Sequence, residues 1–252
     1  MRPRSLFWPT VVTMAGLATL TGLGTWQLQR LVWKSELIAT VEARVNAGPV
    51  PLPAPVEWAR LDLDALEYRP VTATGAFDHA REFHVFTHLP EPRGPLGGAG
   101  YWIITPLLLE SGGTVLVNRG FVPRDFKDPA TRPAGQMARP VPVTGLVRAP
   151  ERQQAFVPDN DPERNIWFFR DVAAMAAAAG RPDAAPFLID ERANAVPGGL
   201  PQAGETRLRF ANDHLQYALT WYGLVLCLGG VYIAFWIANR GRGDGDRPAD
   251  SG

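Results

Sequence analysis

Cysteine is almost absent: Cys227 is the single one in 252 residues. That excludes an intramolecular disulfide framework, and with it the paired thiolates of a structural zinc site or a copper-carrying CxxC. Net charge is absent too, with 25 Lys+Arg against 25 Asp+Glu. A chain with no positive excess lacks the general attraction for a polyanion, which argues against DNA or RNA as a partner. The familiar catalytic signatures are missing: GxSxG, HExxH, the P-loop, and a GxGxxG between strand and helix. Without a convergent acid, base or nucleophile group, an enzyme tethered to a membrane is the weakest of the readings weighed below.

What the sequence does have is two long uncharged runs. The mean hydropathy of −0.08 is that of an ordinary soluble protein, but the charges are unevenly spread. Ser5 to Gln29 is 25 residues without Asp, Glu, Lys or Arg, and His214 to Asn239 is 26 more. A hydrocarbon layer about 30 Å thick needs roughly 20 mostly apolar helical residues, so each run is long enough to span. All acidic residues but Asp244, Asp246 and Asp250 lie between the runs. The expectation is a two-span membrane protein with a water-soluble insert.

The first run has a competing reading as a signal peptide, with Arg2 and Arg4 as its basic region and Ala15 or Ala18 before a cleavage point. Its length and the second run favour a retained helix. Arg2 and Arg4 precede the first helix, and Arg240 and Arg242 follow the second. A long insert translocates largely regardless of charge, so Arg30 and Lys34 count for less and both termini are expected in the cytoplasm. No transit-type leader precedes the first helix, which favours a bacterial inner membrane with a periplasmic insert. The expected order is a cytoplasmic N-terminus (1–5), a first span (6–29), a periplasmic β-rich domain (30–211), a second span (212–238) and a cytoplasmic tail (239–252).

In the first span Ala15, Ala18, Thr19, Gly22 and Trp26 share a face at spacings of three and four. Small residues there let another helix approach closely, and the two helices touching each other is the simplest arrangement. The second span carries Ala218, Gly229 and Gly230. Trp26 on one helix and Tyr217, Trp221 and Tyr222 on the other suit interfacial anchors.

Between the spans, strand-like runs alternate with turn residues. Tyr68 to Phe77, Glu82 to Leu89, Tyr101 to Glu110, Thr114 to Val122, Pro142 to Arg148 and Pro186 to Asp190 read as strands. Ser111-Gly112-Gly113 makes a hairpin of the third and fourth, and Pro90 to Gly100 reads as a loop. Leu31 to Val45 continues the first helix, and Asp171 caps a short helix over Val172 to Ala179. The expected fold class is therefore two transmembrane helices flanking a mainly antiparallel β (α+β, barrel-like) domain.

His79, His84 and His88 suggest a metal cluster at first sight. In a strand His84 and His88 stand about 13 Å apart, too far for one ion, and His79 falls in a predicted turn. Asn118-Arg119-Gly120-Phe121 ends a strand, where Gly120 permits a bulge and Arg119 either projects or forms a salt bridge. Arg164, Arg170 and Trp167-Phe168-Phe169 read either as a binding surface or as aromatic core flanked by charges. His214 opens the second span behind Asn212 or Asp213 as N-cap, and its side chain leans toward the outer surface. An ionisable group at the edge of a span is a functional candidate, and neutral imidazole is a common metal and haem-iron ligand. Tyr217, Ala218 and Trp221 follow at i+3, i+4 and i+7, where aromatics flank and a small residue leaves room for a macrocycle. A plain helix-end anchor is the alternative.

Leu23-Gly24-Thr25-Trp26-Gln27-Leu28-Gln29-Arg30, running out of the first helix, resembles the signature LGxWQxxR. With Asn212-Asp213-His214-Leu215-Gln216-Tyr217-Ala218-Leu219-Thr220-Trp221-Tyr222 it is similar to the Surfeit locus protein 1 family, the cytochrome c oxidase assembly factors. Tyr68-Arg69-Pro70-Val71, Val117-Asn118-Arg119-Gly120-Phe121-Val122-Pro123 and Val143-Thr144-Gly145 match in kind. The resemblance implies a non-enzymatic factor that binds haem a transiently near the outer membrane face and helps place it in oxidase subunit I. Subunit I, haem a synthase and the bilayer would be its partners. It also implies His214 as axial ligand. On the helical spacing above, Tyr217 and Trp221 would flank the macrocycle, and propionates facing the aqueous side would pair with arginines of the domain, for which Arg209 and Arg119 are the candidates. The alternative within the same pathway is a membrane-anchored scaffold that steadies subunit I without holding haem.

Overall fold

The computed structural model describes residues 6–192, 196–206 and 212–244. In chain order its elements are α1 (Phe7–Val45), β1 (Val50–Pro51), α2 (Leu63–Leu66), β2 (Pro70–Phe77), β3 (Phe83–Leu89), β4 (Gly98–Leu109), β5 (Thr114–Pro123), β6 (Val141–Arg148), α3 (Val172–Ala178), β7 (Leu188–Glu191) and α4 (His214–Asp244), with short 3₁₀ turns between several of them. Two compact units result: Met1–Thr40 with Arg209–Gly252, and Val41–Leu208.

The first unit is a pair of helices. Phe7–Val45 and His214–Asn239 are both long and apolar enough to cross a membrane. Along α1 the less exposed positions include Thr13, Leu17, Leu20, Gly24, Gln27, Leu31, Lys34 and Ile38. These alternate at four and three residues, the spacing of a helix seam. On α4 the matching set is His214, Ala218, Trp221, Val225, Leu228 and Tyr232. Leu228 lies 3.0 Å from where a Cβ on Gly16 would stand, and the Tyr222 ring comes equally near to Gly24. Thr10 Oγ1 and the Tyr232 hydroxyl are 2.6 Å apart. The face named from the sequence is therefore corrected: Ala15, Ala18, Thr19, Gly22 and Trp26 are exposed, and nothing lies within 4 Å of a Cβ placed on Gly22. Small residues occur on two faces of α1, and the bulky partners Tyr222 and Leu228 select the one carrying Gly16 and Gly24.

The second unit is a seven-stranded mixed sheet in the order β1-β2-β6-β7-β5-β4-β3, with a further pairing of β2 to β4. Hydrogen bonding thus runs in a ring through β2, β6, β7, β5 and β4. Five pairings are antiparallel; β1–β2 and β5–β7 are parallel. The β4–β5 hairpin turns at Gly112 and Gly113, both with positive φ, as the Ser-Gly-Gly sequence demands. Alternation divides the core. Val115, Val117 and Ile189 join Val71, Leu107, Val143 and Phe187 on one side. Leu116 and Leu188 join Ile104, Trp167 and Met175 of α3 on the other. Period-two side-chain placement, with both faces covered, explains the unbroken buried run along β5. Asp171 caps α3 by accepting the Ala174 N–H, as its sequence predicts.

Gly120 marks a bulge. Ile103 pairs with Gly120 and Ile104 with Asn118, so Arg119 is the extra residue. Gly120 has φ 125°, and a Cβ there would collide with the Gln202 carbonyl. Only glycine meets both conditions.

Candidate functional site at the start of α4

The Asp213 carbonyl accepts the Tyr217 N–H at 3.2 Å, the first helical bond of α4. Asn212 does not cap with its side chain. Its amide donates to Ser35 Oγ at 3.3 Å, and its Oδ1 has no partner. His214 then begins the helix on the seam with α1, and its Nδ1 stands 2.8 Å from Gln27 Oε1. A side-chain carbonyl only accepts, so Nδ1 carries the hydrogen and Nε2 holds the free lone pair. Among the described residues Nε2 has no hydrogen-bond partner. Thr25, two residues before Gln27, meets the hydroxyl of Tyr222, eight residues after His214, at 3.1 Å through its Oγ1, which keeps the two helices in register beside this contact.

The residues expected around His214 separate. Trp221 lies on the seam, whereas Tyr217 is 56% exposed and points away from it. Ala218 is 1% exposed. It therefore packs in the seam rather than leaving room for a ligand, which corrects that expectation. Arg209 lies outside the described residues, as do Arg2, Arg4 and the side chains of Arg240 and Arg242. Gln27 has no assigned part in the sequence reading, because nothing local ties it to a residue 187 positions away.

Arg119 sits in the interior of the sheet unit, 1% exposed. Its guanidinium lies 4.7 Å over the Phe77 ring, donates to the Gly135 carbonyl, and stands 3.4 Å from His79 Nδ1. The expectation of a propionate contact is corrected here: the bulge turns this side chain inward, where reaching a ligand would mean leaving the core. His79 Nε2 in turn donates to the Met137 carbonyl at 3.1 Å. Burial and the adjacent Arg119 charge hold the His79 pKa below its ordinary value.

His84 bonds Glu82 at 2.8 Å, and Arg132 completes a buried pair with the same carboxylate. Burial pushes the Glu82 carboxyl up, but bonds from His84 and Arg132 outweigh it and leave it below the usual range. Arg170 and Trp167 belong to the core reading, not to a surface. Trp167 is fully buried, and Arg170 bonds Asp190 Oδ1 at 2.9 Å and Glu151 through Nε at 2.9 Å. Asp190 also accepts from Asn118 (2.9 Å), Arg148 (3.1 Å) and Thr206 (3.0 Å). Burial opposes its ionisation, yet Arg170 and Arg148 hold its pKa down.

The same unit contains a cleft of about 600 Å³, lined by Glu42, Arg93, Asp190, Glu191, Arg192 and Thr206 among others. Arg93 bonds the Gly204 carbonyl, Arg192 that of Val45, and Asp190 its arginines. Its charges are of both signs, so it selects no ligand class. No cluster of three or more His, Cys, Asp or Glu suited to a metal ion occurs among the described residues.

Comparison with known proteins agrees with the two end motifs. A model of the SURF1 family matches residues 14–226. Surfeit locus protein 1 of Homo sapiens is 46% identical over 218 residues, covering 82% of this chain and 70% of that protein. The Rattus norvegicus protein of the same name is 43% identical over 228 residues, 86% of this chain and 72% of its own. That of Takifugu rubripes is 41% identical over 233 residues, with 87% and 93% covered. With the family profile covering the sheet and reaching into both flanking helices, the chain belongs to the SURF1 family.

Proposed function

We propose that this chain is a membrane-anchored assembly factor for haem–copper (cytochrome c) oxidase, and that it takes haem a as cargo on His214 near the outer membrane face and assists its insertion into subunit I. The observation that carries the reading is the His214 imidazole, held through Nδ1 with its Nε2 lone pair unclaimed among the described residues. A neutral imidazole of that kind is the donor that haem iron takes axially. A single protein ligand leaves the opposite iron face open, which suits a site that must release what it binds.

Both helices are read as membrane spans, with the sheet unit periplasmic, both termini cytoplasmic and the bacterial inner membrane as location. Trp26 and Trp33 are each 50% exposed, Arg30 lies 4.5 Å over the Trp33 ring, and Tyr217 is exposed beside His214. Aromatic and basic residues gathered over about two turns of α1 and beside His214 fit an interfacial belt. Haem a carries a long isoprenoid tail that favours hydrocarbon by ~0.8 kcal/mol per buried CH2, so the bilayer itself supplies part of the affinity. Arg209, five residues before His214 in the chain, remains the arginine assigned to the propionates. The role is one of binding and transfer, not catalysis.

The deciding experiment is the absorption spectrum of the detergent-purified protein from cells that make haem a. Wild-type protein should carry a Soret band, and His214→Ala should lower haem occupancy at least tenfold. Equal pigment in both would overturn the haem reading. It would favour a scaffold that meets subunit I through the uncovered Ala15, Ala18 and Gly22 face of α1.

A further inference from the structure

We infer that Gln27 is the positioning residue for His214: its side-chain carbonyl holds the imidazole as the Nδ1–H tautomer and thereby presents Nε2 as the ligating nitrogen. This rests on the reading of His214 as haem ligand and adds a residue from the other helix to that site.

The argument begins with the two nitrogens. Imidazole ligates iron through the nitrogen that bears no hydrogen, so the tautomer decides which edge of the ring can bind. Imidazole free in water favours the Nε2–H form, which would block the outward nitrogen. The Gln27 carbonyl oxygen, 2.8 Å from Nδ1, stabilises the opposite form. A carboxamide has a second edge, the NH2 group, and that edge would impose the reverse tautomer. The oxygen faces the ring here, so the site is set for ligation before cargo arrives.

The contact also fixes the ring plane. Gln27 lies on the α1 seam and His214 on that of α4, and the Gly24–Tyr222 packing and the Thr25–Tyr222 bond hold the two backbones together nearby. A ring tethered at one nitrogen by an element packed against its own helix loses much of its rotational freedom before binding. Partners of this kind, behind a ligating histidine, raise its basicity and typically contribute 10–100-fold in metal affinity.

The first test needs no haem. The chain has four histidines, His79, His84, His88 and His214, so 15N-histidine labelling of the full-length protein in detergent yields a spectrum that His214→Ala assigns by difference. Wild-type His214 should show a protonated Nδ1 and a bare Nε2, and Gln27→Leu should shift it toward the Nε2–H form. A wild-type Nε2–H tautomer would overturn the inference.

The second test titrates haem a into the same proteins and measures the reduction potential of the bound iron. Gln27→Leu should weaken binding about 10–100-fold, whereas Gln27→Glu, which also accepts from Nδ1–H, should stay within about threefold and lower the potential. If His214→Ala weakens binding and Gln27→Leu does not, the positioning role is wrong and the haem reading stands. If His214→Ala binds as wild type, the haem reading is wrong, and the tautomer spectrum still decides what Gln27 does. Should Gln27→Leu fail to fold, Gln27→Glu decides alone: lost binding or an unmoved potential overturns the role.

Discussion

The Tyr222 ring packs against Gly24, its Cζ 2.9 Å from where a Cβ on that glycine would stand. With 1–3 kcal/mol the usual cost of forcing bulk into a packed contact, Gly24→Leu should destabilise the helix pair by about that amount. Gly22→Leu, two residues or about 3 Å of helix rise away but facing nothing within 4 Å, should change stability by less than about 0.5 kcal/mol. Thermal unfolding of the two full-length variants in one detergent checks the contrast. Equal losses would mean that α1 meets α4 through a different face.

Asp190 is the second point of leverage. Asp190→Asn removes the charge that Arg170 and Arg148 share while leaving both cations in place. Breaking a buried pair from one side costs about 3–5 kcal/mol, and denaturant unfolding of the full chain should register it. The network has a pH signature as well. Because folding lowers the Asp190 and Glu151 pKa values, the unfolded chain binds protons first as the solution is acidified. Their stabilisation is whole above the ordinary carboxylate range and should disappear below about pH 4.

His79 acts in a milder range. Its folded pKa is lowered by burial and by Arg119, so below about pH 6.5 the unfolded state takes up a proton that the native state resists. Stability should therefore fall as pH drops from neutrality toward 5. His79→Gln, which retains an acceptor for Arg119, should flatten that slope. A slope that persists in the variant would assign it to another group.

Much of the fold is legible in the chain because its turns are marked chemically. Ser111-Gly112-Gly113 fixes the hairpin, Asp171 and Gly180 bound α3, and the expected strand edges fall within three residues of β2 to β7. β1 escapes notice since Val50–Pro51 is two residues inside a proline-rich stretch and is a strand only by virtue of its partner. The strand order is equally hidden, for the insertion of β7 between β6 and β5 depends on pairings across dozens of residues. At the site, His214 is legible from its place at the head of an apolar run. Gln27 is marked only as the fixed Q of LGxWQxxR, and its pairing with His214 is hidden because a hydrogen bond between helices leaves no periodic trace. Arg119 shows how local reading misleads: Gly120 announces the bulge, but only the surrounding Phe77, His79 and Gly135 reveal that the extra side chain turns inward.

The position of β7 bears on how the protein is made. Residues 188–191 supply the strand that joins β6 to β5, yet they leave the ribosome after every other strand. Until then the ring stays open as one sheet, β6-β2-β4-β5, with unpaired edges at β6 and β5 and apolar flanks, a condition that invites aggregation and proteolysis. A message truncated anywhere upstream should accordingly yield a product cleared by quality control rather than a shortened protein with partial activity, however much of the N-terminal motif it retains.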